Sequence, residues 1–254
     1  MNMLYTLPKP VIFGHRGACA HAPENTLASF RLAFEQGADA IELDAKLSRD
    51  GEVVVFHDPT LDRTTNGTGC VDSKSLAELR ELDAGSHFSE QFRGEKIPLL
   101  LEVLEEFGKT RYINIELTNY TSPNDELVEK AAALVNSMGL GERILFSSFS
   151  AQNLKKVRQL VPEAETGMLA LRGLAGFIAR NISGRQVAPH AVHPYLTDAS
   201  QQWIEIAHRQ GRRVHVWTVN RPVDLKDLFD WGADGVFTDD PALAVDLRGQ
   251  MKAA

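Results

Sequence analysis

The sequence predicts an α/β fold, a TIM (β/α)8 barrel with a small capping insertion after the second strand. Two observations lead there. Short apolar runs rich in β-branched residues alternate with amphipathic stretches, the pattern of a parallel sheet wrapped by helices. Eight such runs can be placed, and several end in histidine, arginine or carboxylate side chains. In a barrel of this kind the chemistry sits at the carboxyl ends of the strands.

Val11–Gly14 reads as the first strand, after which Leu27, Phe30 and Phe34 recur at helical spacing until Gly37. Further strands are expected at Ala40–Leu43, Tyr112–Leu117, Arg143–Ser147, Glu165–Leu169, Ala191–His193, Arg213–Val219 and Gly235–Thr238. Helices fit between most of them, at Asn124–Met138, Ala151–Leu160, Gly173–Arg180, Ser200–Gln210 and Val223–Trp231, and Pro241–Gln250 closes the chain. The run Glu52–His57 is a ninth apolar strand. Only Leu47 to Gly51 separates it from the second, too little for a crossover helix, so with Asp50-Gly51 at the turn it reads as a hairpin arm. A turn-rich stretch, Thr64 to Gly69, and a short helix near Ser75–Leu82 follow. Residues 1–254 are thus expected to form a single domain with an insertion at about 45–98 over the barrel mouth.

Composition narrows the partners. With 43% hydrophobic and 24% charged residues this is an ordinary globular chain, and no segment approaches the ~20 apolar residues of a membrane span. The stretch Met1–Pro10 has two prolines and no apolar signal region, so a cytoplasmic protein without stable membrane association is expected. A formal charge of −7 opposes binding to nucleic acid. Cys19 and Cys70 have no metal-type spacing and read as free thiols.

Five clusters carry the chemistry: His15-Arg16-Gly17, Glu42-Leu43-Asp44, His57-Asp58, Glu116 and Trp217. Glu42 and Asp44 are two apart on a strand and so share one face, the barrel interior, where an unpaired acid is costly. Glu116 repeats the situation on the next barrel strand. Each acid could pair with a buried Lys or Arg; alternatively the three share a cation, and oxygen-only ligands then point to one hard divalent ion, Mg²⁺ or Ca²⁺. Arg16 suits a phosphate oxygen, and His15 with His57 would form a proton-transfer pair. Three carboxylates, a phosphodiester, a divalent ion and Arg16 leave one negative charge, which one protonated histidine would neutralise.

The ordered series GHRGACAHAPENTLASFRLAFEQGADAIELDAKLSRDGEVVVFHDPTLDRTTNGTG, INIEL, FSSFS, VHVWTVN and DGVFTDDP resembles the glycerophosphodiester phosphodiesterase family, from Val11 to about Leu247. The resemblance implies a TIM barrel with a small insertion after the second strand. It also implies hydrolysis of glycerophosphodiesters, such as glycerophosphocholine and glycerophosphoethanolamine, to sn-glycerol 3-phosphate and an alcohol. By the family pattern Glu42, Asp44 and Glu116 hold the metal, His15 and His57 are the acid–base pair, and Arg16 binds the phosphate. One departure stands out. The family commonly carries a lysine two residues after the third-strand acid, where this chain has Thr118, which can hydrogen-bond a substrate oxygen but brings no charge.

Trp217 could wall the substrate site or sit in the core, as could Phe149; His193, His208 and His215 read as structural or exposed, and helix capping accounts for Asn25. Two rivals stand beside the main reading. A lysophospholipase-D-like activity would need an apolar patch for an acyl chain, and the expected cap segment Gly85–Phe92, with two phenylalanines among polar groups, favours small soluble esters instead. A catalytically silent glycerophosphodiester-binding protein has Thr118 as its sole support, against two histidines and three acids.

Overall fold

The structure is a computed structural model and describes residues 6–183 and 187–253; the first five residues of the Met1–Pro10 stretch lie outside them. Eight parallel strands close into a barrel: β1 (Val11–Gly14), β2 (Ala40–Leu47), β4 (Tyr112–Leu117), β5 (Ile144–Ser148), β6 (Glu165–Ala170), β7 (Ala191–Pro194), β8 (Arg213–Val216) and β9 (Gly235–Thr238), with β9 pairing back to β1. A short β3 (Val53–Val55) runs antiparallel to the end of β2 with Ala45 opposite Val55, the expected hairpin arm.

Alternation explains why these runs are strands. On β2, Ile41, Leu43 and Ala45 face the surrounding helices, while Ala40 and the charged Glu42, Asp44 and Lys46 lie on the other face, toward the interior. Inside, Phe13 and Phe237 stack at 4.6 Å, and the buried His193 and His215 rings pack against them, 5.0 and 5.1 Å away. Burial drives both imidazoles well below the usual histidine range, His215 to about 3, so they are neutral barrel filling.

The helices are α1 (Leu27–Glu35), α2 (Leu76–Glu81), α3 (Leu100–Phe107), α4 (Leu127–Ser137), α5 (Ala151–Leu160), α6 (Gly173–Ile178), α7 (Gln201–Arg209), α8 (Pro222–Asp230) and α9 (Pro241–Ala253). Sequence reading leaves α3 unassigned, because it follows the insertion directly. Yet Leu100, Val103, Leu104 and Phe107 recur at helical spacing, all four are buried, and α3 is the helix that pairs with β2 in the eight-unit count. Several boundaries also shift: the hairpin arm is a strand only over Val53–Val55, and the helix expected from Asn124 starts at Leu127. β2 runs on to Leu47 because β3 extends its ladder, β8 stops at Val216, and α6 passes into a π-turn over Ala179–Ser183.

The capping insertion has its own small core of Val54, Phe56, Leu61, Val71, Leu79 and Ile97, each buried and each contributing about 1.5–3 kcal/mol when fully withdrawn from water. That core fixes the segment carrying His57 against the barrel mouth. Cys19 and Cys70 are both free thiols. Among the described residues no helix is long and apolar enough to cross a membrane.

Candidate active site

The site is assembled at the carboxyl ends of the strands. Parallel register sets Asp44 on β2 directly beside Glu116 on β4, and Glu42 two residues earlier shares their face. Ligand atoms of Glu42, Asp44 and Glu116 all lie within 4.8 Å of one another. Burial, reinforced by Asp44 and Glu116, pushes the Glu42 carboxyl far above its ordinary range; burial and Asp44 push Glu116 up to about 8. Glu42 and Glu116 so placed hold protons more readily than ordinary carboxyls, and a cation among the three acids would offset that cost.

Arg16 stands over this cluster. Its backbone has φ 54, the left-handed region uncommon outside glycine, and so turns its N–H onto Glu42 Oε2 at 2.9 Å. Its guanidinium donates to Glu24 at 2.9 Å and lies 3.5 Å from Asp44. Gly17 follows with φ +89, and any Cβ there would fall 2.2 Å from Ser29 Oγ, so the turn requires glycine. Burial opposes the Arg16 charge, but Asp44, Glu24 and Glu42 more than offset it, and its pKa is raised.

Each histidine is held by an aspartate. His15 Nδ1 bonds Asp239 Oδ1 at 2.7 Å and His57 Nδ1 bonds Asp58 Oδ1 at 2.6 Å. Burial works against the Asp239 charge, but hydrogen bonds from His15, Cys19 and Asn220 hold that carboxyl near 2; Arg63 above all, with His57, does the same for Asp58. An ionised carboxylate can only accept, so each Nδ1 carries the proton and each Nε2 is left to the pocket. Arg63 also donates two bonds of 2.7 Å to Glu24. A continuous chain of hydrogen bonds thereby joins Arg16, Glu24, Arg63, Asp58 and His57.

A cavity of about 250 Å³ opens among these groups. His15, Arg16, Glu42, His57 and Glu116 form its charged flank, and Phe149, Leu169, Leu171 and Trp217 its apolar flank. Trp217 donates its indole N–H to His193 O at 2.7 Å and meets Phe149 edge-on at 5.7 Å. Asp44 lies just beneath, 1% exposed. Seven of the eight side chains singled out in the sequence therefore converge here. Thr118 does not: it is buried beside the cavity, donates to Ala45 O at 2.7 Å and accepts a 2.9 Å bond from Lys46 Nζ.

Several residues escaped the sequence reading. Asn25 is not the helix cap; Thr26 is, accepting from Ser29 N, while buried Asn25 donates to Asp44 Oδ2 at 2.9 Å and accepts from Asp44 N at 3.2 Å. Asn25 also takes φ 57, which a non-helical position just before the cap allows. Tyr120 donates to Glu116 Oε1 at 2.8 Å. Glu24, Lys46, Arg63 and Asp239 are surface-type charges whose partners lie up to 224 residues away, so no local pattern marks them.

The chain matches the model of the glycerophosphoryl diester phosphodiesterase family over residues 15–243. It is 37% identical to a glycerophosphodiester phosphodiesterase of Caldanaerobacter subterraneus subsp. tengcongensis, over 94% of this chain and 98% of that protein. A Bacillus subtilis glycerophosphodiester phosphodiesterase is 35% identical, over 90% of this chain and 83% of its own length. Among solved structures, an Oleispira antarctica phosphodiesterase in complex with the product sn-glycerol-3-phosphate aligns with a TM-score of 0.86 at 32% identity, covering 97% of this chain and 99% of that one. This chain is therefore an enzyme belonging to the glycerophosphoryl diester phosphodiesterase family.

Proposed function

We propose that this enzyme hydrolyses glycerophosphodiesters, glycerophosphocholine and glycerophosphoethanolamine among them, to sn-glycerol 3-phosphate and an alcohol, and that it depends on one divalent cation. The observation that carries this reading is the convergence of Glu42, Asp44 and Glu116 beside two aspartate-held histidines in one cavity. The product named in the Oleispira antarctica complex supports the same substrate class.

The donor set fits a hard cation: oxygen ligands only, buried, and short of positive charge. Glu42, Asp44 and Glu116 would hold Mg²⁺ or Ca²⁺, which when bound supplies Lewis-acid polarisation of the phosphoryl oxygens. Everything else falls to the chain's own side chains. Arg16, fixed by Glu24 and Asp44, offers guanidinium N–H groups to the phosphate. One histidine Nε2 takes the proton of the attacking hydroxyl and the other returns one to the departing alkoxide, with Asp239 and Asp58 stabilising whichever imidazolium forms. Trp217 and Phe149 close one side of the cavity around the glycerol. Lys46, held at Thr118 outside the cavity, adds a positive charge close enough to Asp44 and Glu116 to feel their field.

The test is release of glycerol 3-phosphate from glycerophosphocholine and glycerophosphoethanolamine, with chelator and then with Mg²⁺ or Ca²⁺. Cation-dependent release is expected. Tight binding of either ester with no product would replace this reading with that of a silent binding protein.

A further inference from the structure

Among the described residues two groups of three side chains place potential ligand atoms within 4.8 Å of one another. One is the carboxylate cluster of Glu42, Asp44 and Glu116. The other is His15, Cys19 and Asp239, whose donors are of a different kind: an imidazole nitrogen, a thiol and a carboxylate. Sequence spacing could not reveal it, because Asp239 lies 224 residues from His15.

The group is assembled by the closure of the barrel. His15 N donates to Thr238 O at 2.9 Å, tying the end of β1 to the end of β9. Ala20 N donates to Asp239 O at 2.9 Å, pinning the turn that carries Cys19 to the same place. Asn220 Nδ2 holds the far carboxylate oxygen, Asp239 Oδ2. That leaves Asp239 Oδ1 facing both His15 Nδ1, 2.7 Å away, and Cys19 Sγ, 3.1 Å away. A tetrahedral zinc ion spaces such ligand atoms by about 3.4–3.6 Å, so each pair need open by less than ~1 Å to admit one.

The donor set selects the ion. Oxygen-only ligands suit Mg²⁺ or Ca²⁺, whereas a thiolate beside an imidazole suits a thiophilic ion such as Zn²⁺. Burial and Asp239 push the Cys19 thiol above its ordinary range, so without a cation it stays protonated and is a poor nucleophile. Zn²⁺ with one thiolate and one carboxylate sums to neutral charge. The His15 and Asp239 side chains are 18% and 29% exposed, which gives the ion a path from solvent.

We propose that His15 Nδ1, Cys19 Sγ and Asp239 Oδ1 form a second metal site, selective for Zn²⁺ and similar thiophilic divalent ions, whose occupation switches the enzyme off. The site stands on the geometry of the three side chains; the inhibition rests on the proposed role of His15. Binding expels the thiol proton and moves the imidazole proton from Nδ1 to Nε2, as the metal takes its place at Nδ1. His15 then presents an N–H to the cavity where it had an acceptor, and Asp239 no longer backs the ring. It can neither take a proton nor cycle between acid and base.

The experiment uses wild type, Cys19→Ser and, as a control on the exposed thiol, Cys70→Ser, all in excess Mg²⁺. Each is titrated with Co²⁺ for absorbance and with Zn²⁺ for glycerophosphocholine turnover, every rate taken relative to the same protein without Zn²⁺. Wild type and Cys70→Ser should show a near-ultraviolet thiolate-to-Co²⁺ charge-transfer band and lose turnover along one Zn²⁺ curve. Cys19→Ser should lack the band and need at least ~10- to 100-fold more Zn²⁺, the loss that removing even an outer-shell partner of a metal ligand brings. No band in the wild type, or equal Zn²⁺ sensitivity in wild type and Cys19→Ser, would overturn the site and leave the ion acting at the carboxylate cluster. A band lost in Cys19→Ser with no loss of turnover would keep the site, overturn the inhibition and take His15 out of the proposed reaction. The band reports the site whether or not glycerophosphocholine is hydrolysed, so failure of the phosphodiesterase reading is seen separately.

Discussion

Lys46 on β2 donates its ammonium to the hydroxyl of Thr118 at the end of β4, at 2.9 Å, and to the Thr118 carbonyl at 3.3 Å. A lysine on one strand thus sets its charge beside Thr118 on the next. Burial lowers the Lys46 pKa, and the neighbouring Asp44 and Glu116 work to keep it charged.

Lys46→Met should lower kcat/KM about tenfold, the equivalent of ~1.4 kcal/mol of transition-state stabilisation. Divalent-cation affinity should not fall, because the carboxylate cluster becomes more negative. The double variant Lys46→Thr/Thr118→Lys, which moves the charge across the strands, should recover part of the loss. Steady-state kinetics beside calorimetric cation titration checks both, and equal losses in the single and double variants would remove Lys46 from the site's electrostatics.

Asp239→Asn replaces an acceptor-only group by one that can present a donor to His15 Nδ1, favouring the wrong tautomer. We expect kcat to fall by roughly 10²–10⁴-fold with cation binding near wild type. An unchanged kcat would show that His15 needs no orientation from Asp239.

Asn25→Ala would strip both side-chain hydrogen bonds from Asp44. Leaving those buried groups unpaired should cost about 1–3 kcal/mol. For a chain of this size that is a melting temperature lower by roughly 2–4 °C per kcal/mol. Added cation should restore part of the difference, since it holds Asp44 from the other side. Thermal unfolding with and without Mg²⁺ reads this directly.

The stability of cation-free protein should fall as pH rises from about 6.5 to about 8. Glu116 keeps its proton to about 8 when folded against an ordinary value of 4.5, so the folded state binds more protons in that window and loses that advantage as they leave. Below about 6.5 the buried His193 and His215 act oppositely, because the unfolded chain takes up protons there that the fold excludes. Glu116→Gln should reduce the decline above 6.5, with Glu42 carrying what remains, and bound cation should reverse it. Denaturant unfolding across pH with chelator present is the check.

The fold was legible because its signals are local. Strand runs, helical spacing and the short Leu47–Gly51 link each depend on neighbouring residues, and they placed all eight barrel strands and the hairpin arm. Glu42 and Asp44 were legible as a pair by their spacing, and the strand ends gathered the histidines. The rest of the site is tertiary. Asp239 reaches His15 across the closure of the barrel, Arg63 reaches Glu24 from the insertion, and Asn25 serves Asp44 rather than its own helix. The exposed stripe of Leu174, Phe177 and Ile178 on α6 misleads in the other direction, since its spacing is that of a buried face and its exposure appears only in three dimensions.

The most direct test of the central claim is titration of Mg²⁺ or Ca²⁺ into chelator-stripped enzyme while following glycerol 3-phosphate release. The account predicts no turnover at the start, activity rising with occupancy of one cation, and a curve moved to higher cation concentration by Glu42→Gln. His57→Ala should bind the cation normally and stay inactive. Full turnover in the stripped enzyme, unaffected by Glu42→Gln, would contradict it.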